Sequence, residues 1–416
     1  MLFFSKIPNK IFGFRLQILW VIAAVLSLYF FYFSFKNASQ PSHGFASYFT
    51  ASKLLIEGED VADFYDDDWF SSKVEDYVPG VYEIYLVNMP TTALIFLPIA
   101  NLDYKTAKLI WNIFNLVFLA VIVSLTIKQK KFEGIWLPLV FIILFSFQPL
   151  YANISFGQVY VFIFCLLVIA WFAYESGSEK LLGIIIGLGL ILKTAGIFLL
   201  ILLAIKKKWK VISWVFVTIV FLFTVILPIF GLDPWFAYFN KLLGYTSGPT
   251  LSVTAYQTIH SFFHHFFVFD TQWNPEPLIN LPFIGKSLTL VFSILIFVIT
   301  VFSVIKNNKP DLAFGVFVIL GIILSPASID YHYMLMLILI LILYNWLIKN
   351  PSIALWKIFV ISFLLIGVSL PYTSQKITGG SWAVFAYPKL YGALGLWVLS
   401  LRASYNSKIS GSGLSN

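Results

Sequence analysis

The chain has 416 residues, of which 60% are hydrophobic and only 11% are charged. Soluble domains carry about 25% charged residues, so this composition excludes an ordinary soluble enzyme and predicts a polytopic membrane protein. The net charge of +8 does not indicate nucleic-acid binding, because the basic residues form short clusters between apolar runs, the pattern that orients membrane segments. The single cysteine, Cys165, lies within an apolar run, where we expect an inert packing residue.

The first predicted element is a membrane helix over residues 16–33. It follows Lys6, Lys10 and Arg15 and lacks a small-residue cleavage site, so we expect an uncleaved signal-anchor helix. Because Lys and Arg concentrate on the cytoplasmic side of membrane segments, the N-terminus is expected to be cytoplasmic. Residues 37–88 then contain ten acidic residues against two lysines, which predicts a long loop on the outer side.

Only one crossing fits between this loop and the next basic cluster. Lys128, Lys130 and Lys131 are expected to be cytoplasmic, so we assign one span to residues 105–127. We therefore interpret residues 89–102 (MPTTALIFLPIANL) as a re-entrant or interfacial segment, with a short span as the alternative.

Spans near 134–150 and 157–174 follow, and they place residues 151–158 (YANISFGQ) on the outer side. The next apolar stretch, LLGIIIGLGLILKTAGIFLLILLA, has lysines beyond both ends. As one continuous helix it would place four basic residues outside, whereas a hairpin broken at 193–196 returns both ends to the cytoplasm. The charge pattern therefore predicts the hairpin, with Lys193 buried at its apex in the outer half of the membrane.

A span at 210–231 leads to a second long outer loop at 232–286, and further spans follow near 287–305, 311–327, 331–347, 355–371 and 383–402. The predicted fold is an all-α polytopic membrane protein, a bundle of about 12 transmembrane helices with two long outer-face loops and both termini cytoplasmic. Residues 1–405 are expected to form a single membrane-embedded domain, and the Ser/Gly-rich residues 406–416 a disordered tail.

Under this topology the unusual polar residues converge on the outer side of the membrane. Incidental polar residues should divide between the two sides, and charges near hydrocarbon are costly. The sequence therefore predicts one outward-opening cavity at the membrane boundary. Its members are the acidic loop with His43, then Asn153, Gln158, Lys193, Gln257, His260, Asp330 and His332.

Six short motifs also occur in an order typical of a known enzyme family. They are HGFASYFTASKLLIEGEDVADFYD, MPTTALIFLPIANLDYKTAKLIWNIFNL, ISFGQVYVFIF, GLGLILKTAGIFLL, VTAYQTIHSFFHHFF and LSPASIDYHYMLML. Over residues 40–345 the chain resembles glycosyltransferase family 87, membrane enzymes of the GT-C fold related to polyprenol-phosphate-mannose-dependent mannosyltransferases. The resemblance implies a GT-C-like bundle that moves a hexose, in the first place mannose, from a polyprenyl-phosphate donor to an acceptor at the outer face of the cytoplasmic membrane.

The chain departs from the family pattern at the residue that the resemblance implies to be the base. The family has an Asp just before a Phe/Leu-x-x-Tyr stretch, and here the corresponding position is Gly44. We rank Asp330 first among the replacements, because a span end is a more rigid mount than a loop. Asp60 or Asp63 in the acidic loop comes second. His43 comes third, because it and Gly44 would point opposite ways in an extended segment.

Two residues are assigned to the donor phosphate, and four to the sugar or acceptor. Lys193 would offer a cation at a helix break, and His332 would bind the same phosphate or orient Asp330. The alternatives are a lysine that only extends to the interface and an Asp–His pair that merely ends a span. The sugar- or acceptor-binding candidates, for which helix capping or interhelical bonding is the alternative, are Asn153, Gln158, Gln257 and His260.

No cofactor and no metal ligand are assigned. The acidic run DFYDDDWF could bind a divalent cation, but a solvated surface is the alternative and nothing fixes a ligand geometry. The expected partners are membrane lipid, a polyprenyl-phosphate sugar and a glycan or glycolipid acceptor, without nucleic acid. A lipid-linked-sugar transporter or flippase, or a non-catalytic subunit that lacks the family Asp, remain alternatives to the enzyme.

Overall fold

The computed structural model describes residues 9–86, 88–306 and 309–405. It is 78% helical, and the β-structure among these residues is limited to an isolated bridge between Asp270 and Asn274. The apolar composition accounts for this, because in a bilayer a helix satisfies its backbone polar groups internally. The predicted tail, 406–416, lies outside the described residues.

Eighteen α-helices occur in this part of the chain: α1 (Asn9–Ala38), α2 (His43–Glu57), α3 (Asp67–Tyr77), α4 (Tyr104–Lys130), α5 (Trp136–Phe145), α6 (Gln148–Phe156), α7 (Tyr160–Ser176), α8 (Glu179–Lys193), α9 (Ile197–Ile205), α10 (Trp209–Phe230), α11 (Asp233–Ser247), α12 (Ile259–Phe267), α13 (Pro282–Lys306), α14 (Pro310–Ile323), α15 (Leu337–Lys349), α16 (Ile353–Gly367), α17 (Gln375–Thr378) and α18 (Pro388–Tyr405). Short 3-10 helices accompany them at Asp63–Tyr65, Pro90–Leu94, Leu97–Ile99, Pro249–Ser252, Asp330–Met336 and Gly380–Ala386.

Several helices have the length and composition of membrane spans. Five such segments are Phe14–Ala38, Tyr104–Lys130, Trp209–Phe230, Pro282–Lys306 and Asp330–Lys349. Two bent pairs raise the number to seven, α5 with α6 at 42° and Gly380–Ala386 with α18 at 53°. The predicted all-α, multi-pass membrane protein is confirmed for the described residues. The total of about 12 crossings stays a prediction, because helices such as α7, α14 and α16 are shorter than a full span.

The contacts divide the chain into two compact units. Among the described residues, unit 1 comprises those up to residue 31, residues 123–151 and those from residue 251 onward, and unit 2 comprises those within 32–122 and 152–250. Each unit is assembled from separated stretches rather than divided at a linker, and the single domain expected over residues 1–405 stays a prediction.

In unit 2, α8 packs against α7 and α10. Glycines bring α8 and α10 almost into backbone contact, since a Cβ on Gly183 would lie 2.4 Å from that of Trp214, and one on Gly187 would lie 2.8 Å from that of Thr218. This is the small-residue spacing of closely packed membrane helices. The pairing advances in the same direction along both helices, so α8 and α10 are parallel and the chain must reverse between them.

The helix is interrupted at the predicted break. Helix α8 ends at Lys193, Thr194 and Gly196 have φ values of 51° and 85°, and α9 begins at Ile197. Positive φ at two nearby positions is incompatible with a continuous helix. The predicted interruption at 193–196 is therefore confirmed.

Two local features differ from what the sequence suggested. The span expected to end near residue 150 is followed by α6, which continues to Phe156 before Gly157, where φ is 65°; the placement of residues 151–158 on the outer side stays a prediction. His43 and Gly44 are not extended; they open α2, after Ser42 in an extended N-cap conformation. Small residues along α2 allow an almost fully buried helix from Gly44 to Ser52, which outweighs the loop-like acidic composition that follows.

Unit 1 is centred on α14 and α15, which are buried along most of their length and pack against α18. Helix α16 also packs closely on α18, where Gly392 meets the carbonyl of Ser362. The 3-10 segment Asp330–Met336 leads directly into α15, so Asp330 stands at the start of a buried helical element.

Candidate functional site

The side chain of Lys193, the last residue of α8, is held by contacts with other elements. Its ammonium donates a hydrogen bond to Oδ1 of Asn88 and lies 5.3 Å from the ring centre of Tyr48 and 5.9 Å from that of Tyr160. Lys193 is partly buried, and aromatic faces attract a cation by their quadrupole. The position therefore holds a cation in an aromatic and amide environment within unit 2.

The segment 89–102 fixes the helix end that carries this lysine. The Thr91 hydroxyl donates to the carbonyl of Ile191, and the Thr92 hydroxyl donates to that of Leu192 at 3.0 Å. These carbonyls lie in the last turn of α8, where helices lack internal partners. Two 3-10 helices, Pro90–Leu94 and Leu97–Ile99, form most of this segment; whether it is re-entrant, interfacial or a short span stays a prediction.

The break offers fewer free backbone N–H groups than the sequence reasoning assumed. The N–H groups of Thr194 and Ala195 donate to the carbonyls of Leu190 and Gly189 and thereby cap α8. The Lys193 ammonium can still donate hydrogen bonds to a ligand. It has three N–H donors, and Asn88 is the acceptor that the described residues supply.

Gly44 and Gln158 face one another beside this lysine environment. A Cβ at Gly44 would lie 2.3 Å from Nε2 of Gln158 and 2.7 Å from the carbonyl oxygen of Phe156. The side-chain carbonyl of Gln158 accepts a hydrogen bond of 2.6 Å from the Tyr48 hydroxyl. No side chain fits at position 44 unless these neighbours shift. The packing of Gln158 and Phe156 therefore disfavours an Asp at this position.

The other candidates of unit 2 occupy different environments. Asp60 is exposed, and its side chain accepts from the N–H of Ala62 at 2.8 Å; Asp63 is exposed in a 3-10 helix. Asn153 is buried in α6, and its carbonyl oxygen accepts from the N–H of Gln158 at 2.9 Å.

His43 has a carboxylate neighbour that sequence reasoning missed. Its Nδ1 lies 3.2 Å from the carbonyl oxygen of Tyr82 and 3.7 Å from Glu83. Burial raises the pKa of Glu83, against the opposing effects of the Ile84 N–H and of His43. Glu83 was one of ten loop carboxylates in the sequence, and nothing there distinguishes it.

In unit 1, Asp330 is anchored through one oxygen. Its Oδ1 lies 3.2 Å from the ammonium of Lys389 and accepts a hydrogen bond from the Tyr372 hydroxyl. Lys389 is 1% exposed and also donates to the carbonyl of Ile366 at 2.7 Å. Asp330 retains 23% exposure, and no described residue binds its Oδ2. The carboxylate is thus held at one oxygen and available at the other.

The remaining unit 1 candidates are tied into the structure. His332 accepts from the N–H of Ile329 through Nδ1 at 3.1 Å. Gln257 is fully buried; its Nε2 donates to the carbonyls of Thr254 and Ala386, and its Oε1 accepts from the N–H of Lys389. Gln257 therefore joins the segments that carry Lys389, and its proposed sugar contact stays a prediction.

His260 contacts His264, one turn along α12. The ring centroids are 3.8 Å apart and the rings are tilted by 32°, and burial lowers the pKa of both imidazoles to about 4. His260 is therefore a neutral imidazole at neutral pH, and its sugar or acceptor contact stays a prediction.

Metal binding has no support in the described residues, where no group of three or more His, Cys, Asp or Glu could hold an ion. In the acidic run, Asp66 caps α3 by accepting from two backbone N–H groups, and Asp67 pairs with Lys241 at 2.6 Å. These two carboxylates have structural partners.

The predicted common cavity involves residues of both units and stays a prediction. Lys193 was identifiable as a lone cation in an apolar run. Its partner Asn88 and the Asp330 partners Lys389 and Tyr372 were not, because they lie far away in sequence and no spacing marks them.

These features define the class of the molecule: an all-α, multi-pass membrane protein with ionisable side chains held in place at helix ends. Residues 86–328, more than half of the chain, match the model of glycosyltransferase family 87. The chain belongs to this family, and it is a membrane glycosyltransferase that acts with membrane lipid, a sugar donor and an acceptor. No curated protein and no solved structure matches it significantly. Gly44, Asp330 and His332 lie outside the matched residues.

Proposed function

We propose that the protein transfers a hexose, in the first place mannose, from a polyprenyl-phosphate donor to a hydroxyl of a glycan or glycolipid acceptor. The proposed location is the outer face of the cytoplasmic membrane, with both termini cytoplasmic and a GT-C-like bundle. The parallel arrangement of α8 and α10 supports the orientation, because Lys180 at the start of α8 and Lys206, Lys207 and Lys208 just before α10 then share one side.

The observation that carries the proposal is the environment of Lys193. A departing lipid phosphate needs a cation that is already in place, because preorganised charge stabilises the developing anion without reorganisation. Thr91 and Thr92 fix the helix end, and Asn88 and Tyr48 hold the ammonium with N–H donors to spare. We assign donor-phosphate binding to Lys193.

The base of this reaction must remove the proton of the acceptor hydroxyl. The acceptor oxygen forms a bond to the anomeric carbon, and the bond from that carbon to the phosphate oxygen breaks with its electron pair, which releases polyprenyl phosphate. Among the candidates, Asp330 has an anchored Oδ1 and an open Oδ2, so we keep it first. Asp60 and Asp63 lack comparable anchors to other elements among the described residues.

The test is transfer of radiolabelled sugar from a polyprenyl-phosphate donor in membranes that contain the full-length protein. Lys193→Ala should weaken donor binding and lower transfer at limiting donor by about 100-fold, and Lys193→Arg should restore part of it. Lys180→Ala, at the exposed start of α8, is the matched control and should leave transfer unchanged.

Three outcomes would contradict the proposal. Movement of the lipid-linked sugar across the membrane without any glycosylated product would indicate a transporter. Absence of transfer with every donor, while a partner protein depends on this chain, would indicate a non-catalytic subunit. Equal transfer by wild type and Lys193→Ala would remove the phosphate role of Lys193.

A further inference from the structure

A cavity of about 570 Å³ lies in unit 1. Asp330 and the 3-10 segment that carries it do not line this cavity. Helices α5, α15 and α16 and the turn between α15 and α16 form its walls. Most of the lining is apolar, and includes Trp136, Leu139, Leu347, Trp356, Val360 and Ile361. The volume falls in the range of small-molecule sites, which is about 300–1,000 Å³.

The aromatic wall of this cavity is braced. The rings of Trp136 and Trp356 lie nearly parallel, 6.1 Å apart at 10°. Tyr344 packs edge-on against Trp356 and donates to the carbonyl of Trp136 at 3.0 Å. Val360 and Ile361 are 46% and 58% exposed on the same helix as Trp356. The cavity therefore opens along an apolar helix face beside fixed rings.

Two lysines near the α15–α16 turn bring positive charge to this cavity. Lys357 lines it, and Lys349 follows the lining residue Ile348. Both lysines are exposed, and no described residue offers either ammonium a hydrogen bond or an ion pair. Residues 136–150 and 337–361, which include all the lining residues, contain no Asp or Glu. Glu133, which is exposed, is the nearest acid along the chain before Trp136.

An apolar slot with unpaired cations at one end complements an anionic amphiphile. Basic pockets between membrane helices recognise anionic lipid head groups, and Trp rings lie at the head-group level. A neutral lipid would leave both ammonium groups without a negative partner, and a free anion would leave the apolar walls without an apolar ligand.

We propose that this cavity binds one anionic glycerophospholipid, with its phosphate at Lys357 and Lys349, the Ser352 hydroxyl near the head group, and an acyl chain that runs past the Trp136 and Trp356 rings along the apolar wall of Val360 and Ile361. This site is separate from the proposed donor site, and its test does not depend on sugar transfer. The lipid would bridge α5, α15 and α16 and so stabilise unit 1.

The experiment is native mass spectrometry of the purified full-length protein with equimolar phosphatidylglycerol and phosphatidylcholine. The wild type should retain one phosphatidylglycerol in preference to phosphatidylcholine. The variant Lys349→Gln/Lys357→Gln should lose about tenfold in its retention, and Val360→Trp, which fills the slot, should lower it too. Lys210→Gln removes an exposed lysine of unit 2 and should retain the lipid as the wild type does.

Equal retention of the two lipids by the wild type would overturn the proposal, as would unchanged retention in both the double-lysine and Val360→Trp variants. Lys349→Arg/Lys357→Arg separates charge from folding, because it should keep the preference. A stronger retention of added polyprenyl phosphate than of phosphatidylglycerol would also overturn it, since the occupant would then be the donor lipid class.

Discussion

Asp330 accepts from Lys389 and Tyr372 on one oxygen, which leaves a single oxygen for chemistry. We predict that Asp330→Asn lowers transfer by about 100-fold or more, because the amide keeps the Oδ1 contacts but cannot take a proton. Protein level and donor binding should stay near the wild-type values. The measurement is transfer rate at saturating donor, alongside donor affinity.

The matched control for this variant is Asp63→Asn, an exposed carboxylate in the other unit. Full activity in Asp330→Asn together with loss in Asp63→Asn would move the base to the acidic loop. Loss of folded protein in Asp330→Asn would instead assign Asp330 a structural role with Lys389.

Gly44 and Gln158 are expected to depend on one another. Because a Cβ at position 44 would meet Gln158 and the Phe156 carbonyl, Gly44→Asp alone should destabilise the protein by about 1–3 kcal/mol. Gly44→Asp/Gln158→Gly removes the nearer obstacle and should recover part of that loss, which is a non-additive effect of neighbouring sites. Thermal unfolding of the purified variants measures this. Additive effects would show that Gln158 is not what excludes a side chain at position 44.

At the scale of single elements, α12 carries a titrating pair. Burial holds the pKa of His260 and His264 at about 4, and His264 is lowered further by His260 and by Lys286 on α13. Both values lie below the ordinary 6.5, so the folded state binds fewer protons than the unfolded state between these limits. The two neutral imidazoles make their full contribution to the free energy of unfolding above pH 6.5. This contribution is lost as the pH falls through about 4.

We therefore predict that the melting temperature falls as the pH is lowered from 6.5 to 4, and that His260→Gln/His264→Gln flattens this decline. The difference between variant and wild type isolates the pair from the carboxylates that titrate in the same range. An equally steep decline in the double variant would show that the pair does not contribute.

The elements also show why some predictions succeeded and others failed. The α8–α9 break was predictable because lysines follow and precede the apolar run. If both groups of lysines are cytoplasmic, the chain must turn back within the run instead of crossing the membrane as one helix. The extension of the helix over Tyr151–Phe156 was not foreseen, because the expected span ended at residue 150, whereas Leu150, Ala152 and Ile154 are buried in α6. The capping of α8 by Thr91 and Thr92 was out of reach, since 100 residues separate the partners in sequence.

At the scale of the whole molecule, the composition was sufficient for the fold class. The number of crossings was not predictable to the same degree, because short helices such as α9 and α16 cannot be distinguished by apolar content from full spans. The family was recognisable from ordered motifs, yet the residues around Lys193 and Asp330 depend on long-range contacts that no single motif encodes.

The topology yields a prediction for labelling from one side of the membrane. In a Cys165→Ser background, Ser178→Cys and Lys210→Cys should both react only from the cytoplasmic side, because α8 and α10 run parallel. Ser72→Cys, exposed in the acidic loop, should react only from outside. A membrane-impermeant maleimide on intact cells and on inverted vesicles measures this. Labelling of positions 178 and 210 from opposite sides would contradict the hairpin.

The shortness of α8 has a consequence for synthesis at the ribosome. Its 15 residues contain three glycines and end in a lysine, so the helix alone offers too little apolar length for stable insertion, which takes about 20 residues. Its glycine face becomes useful only when Trp214 and Thr218 of α10 have been translated. The contacts of Lys193 with Asn88, Tyr48 and Tyr160 involve earlier residues, and α8 also packs on α7. We therefore expect α8 to pack first on the preceding segments, and its packing to be completed only after the chain has been extended beyond Thr218.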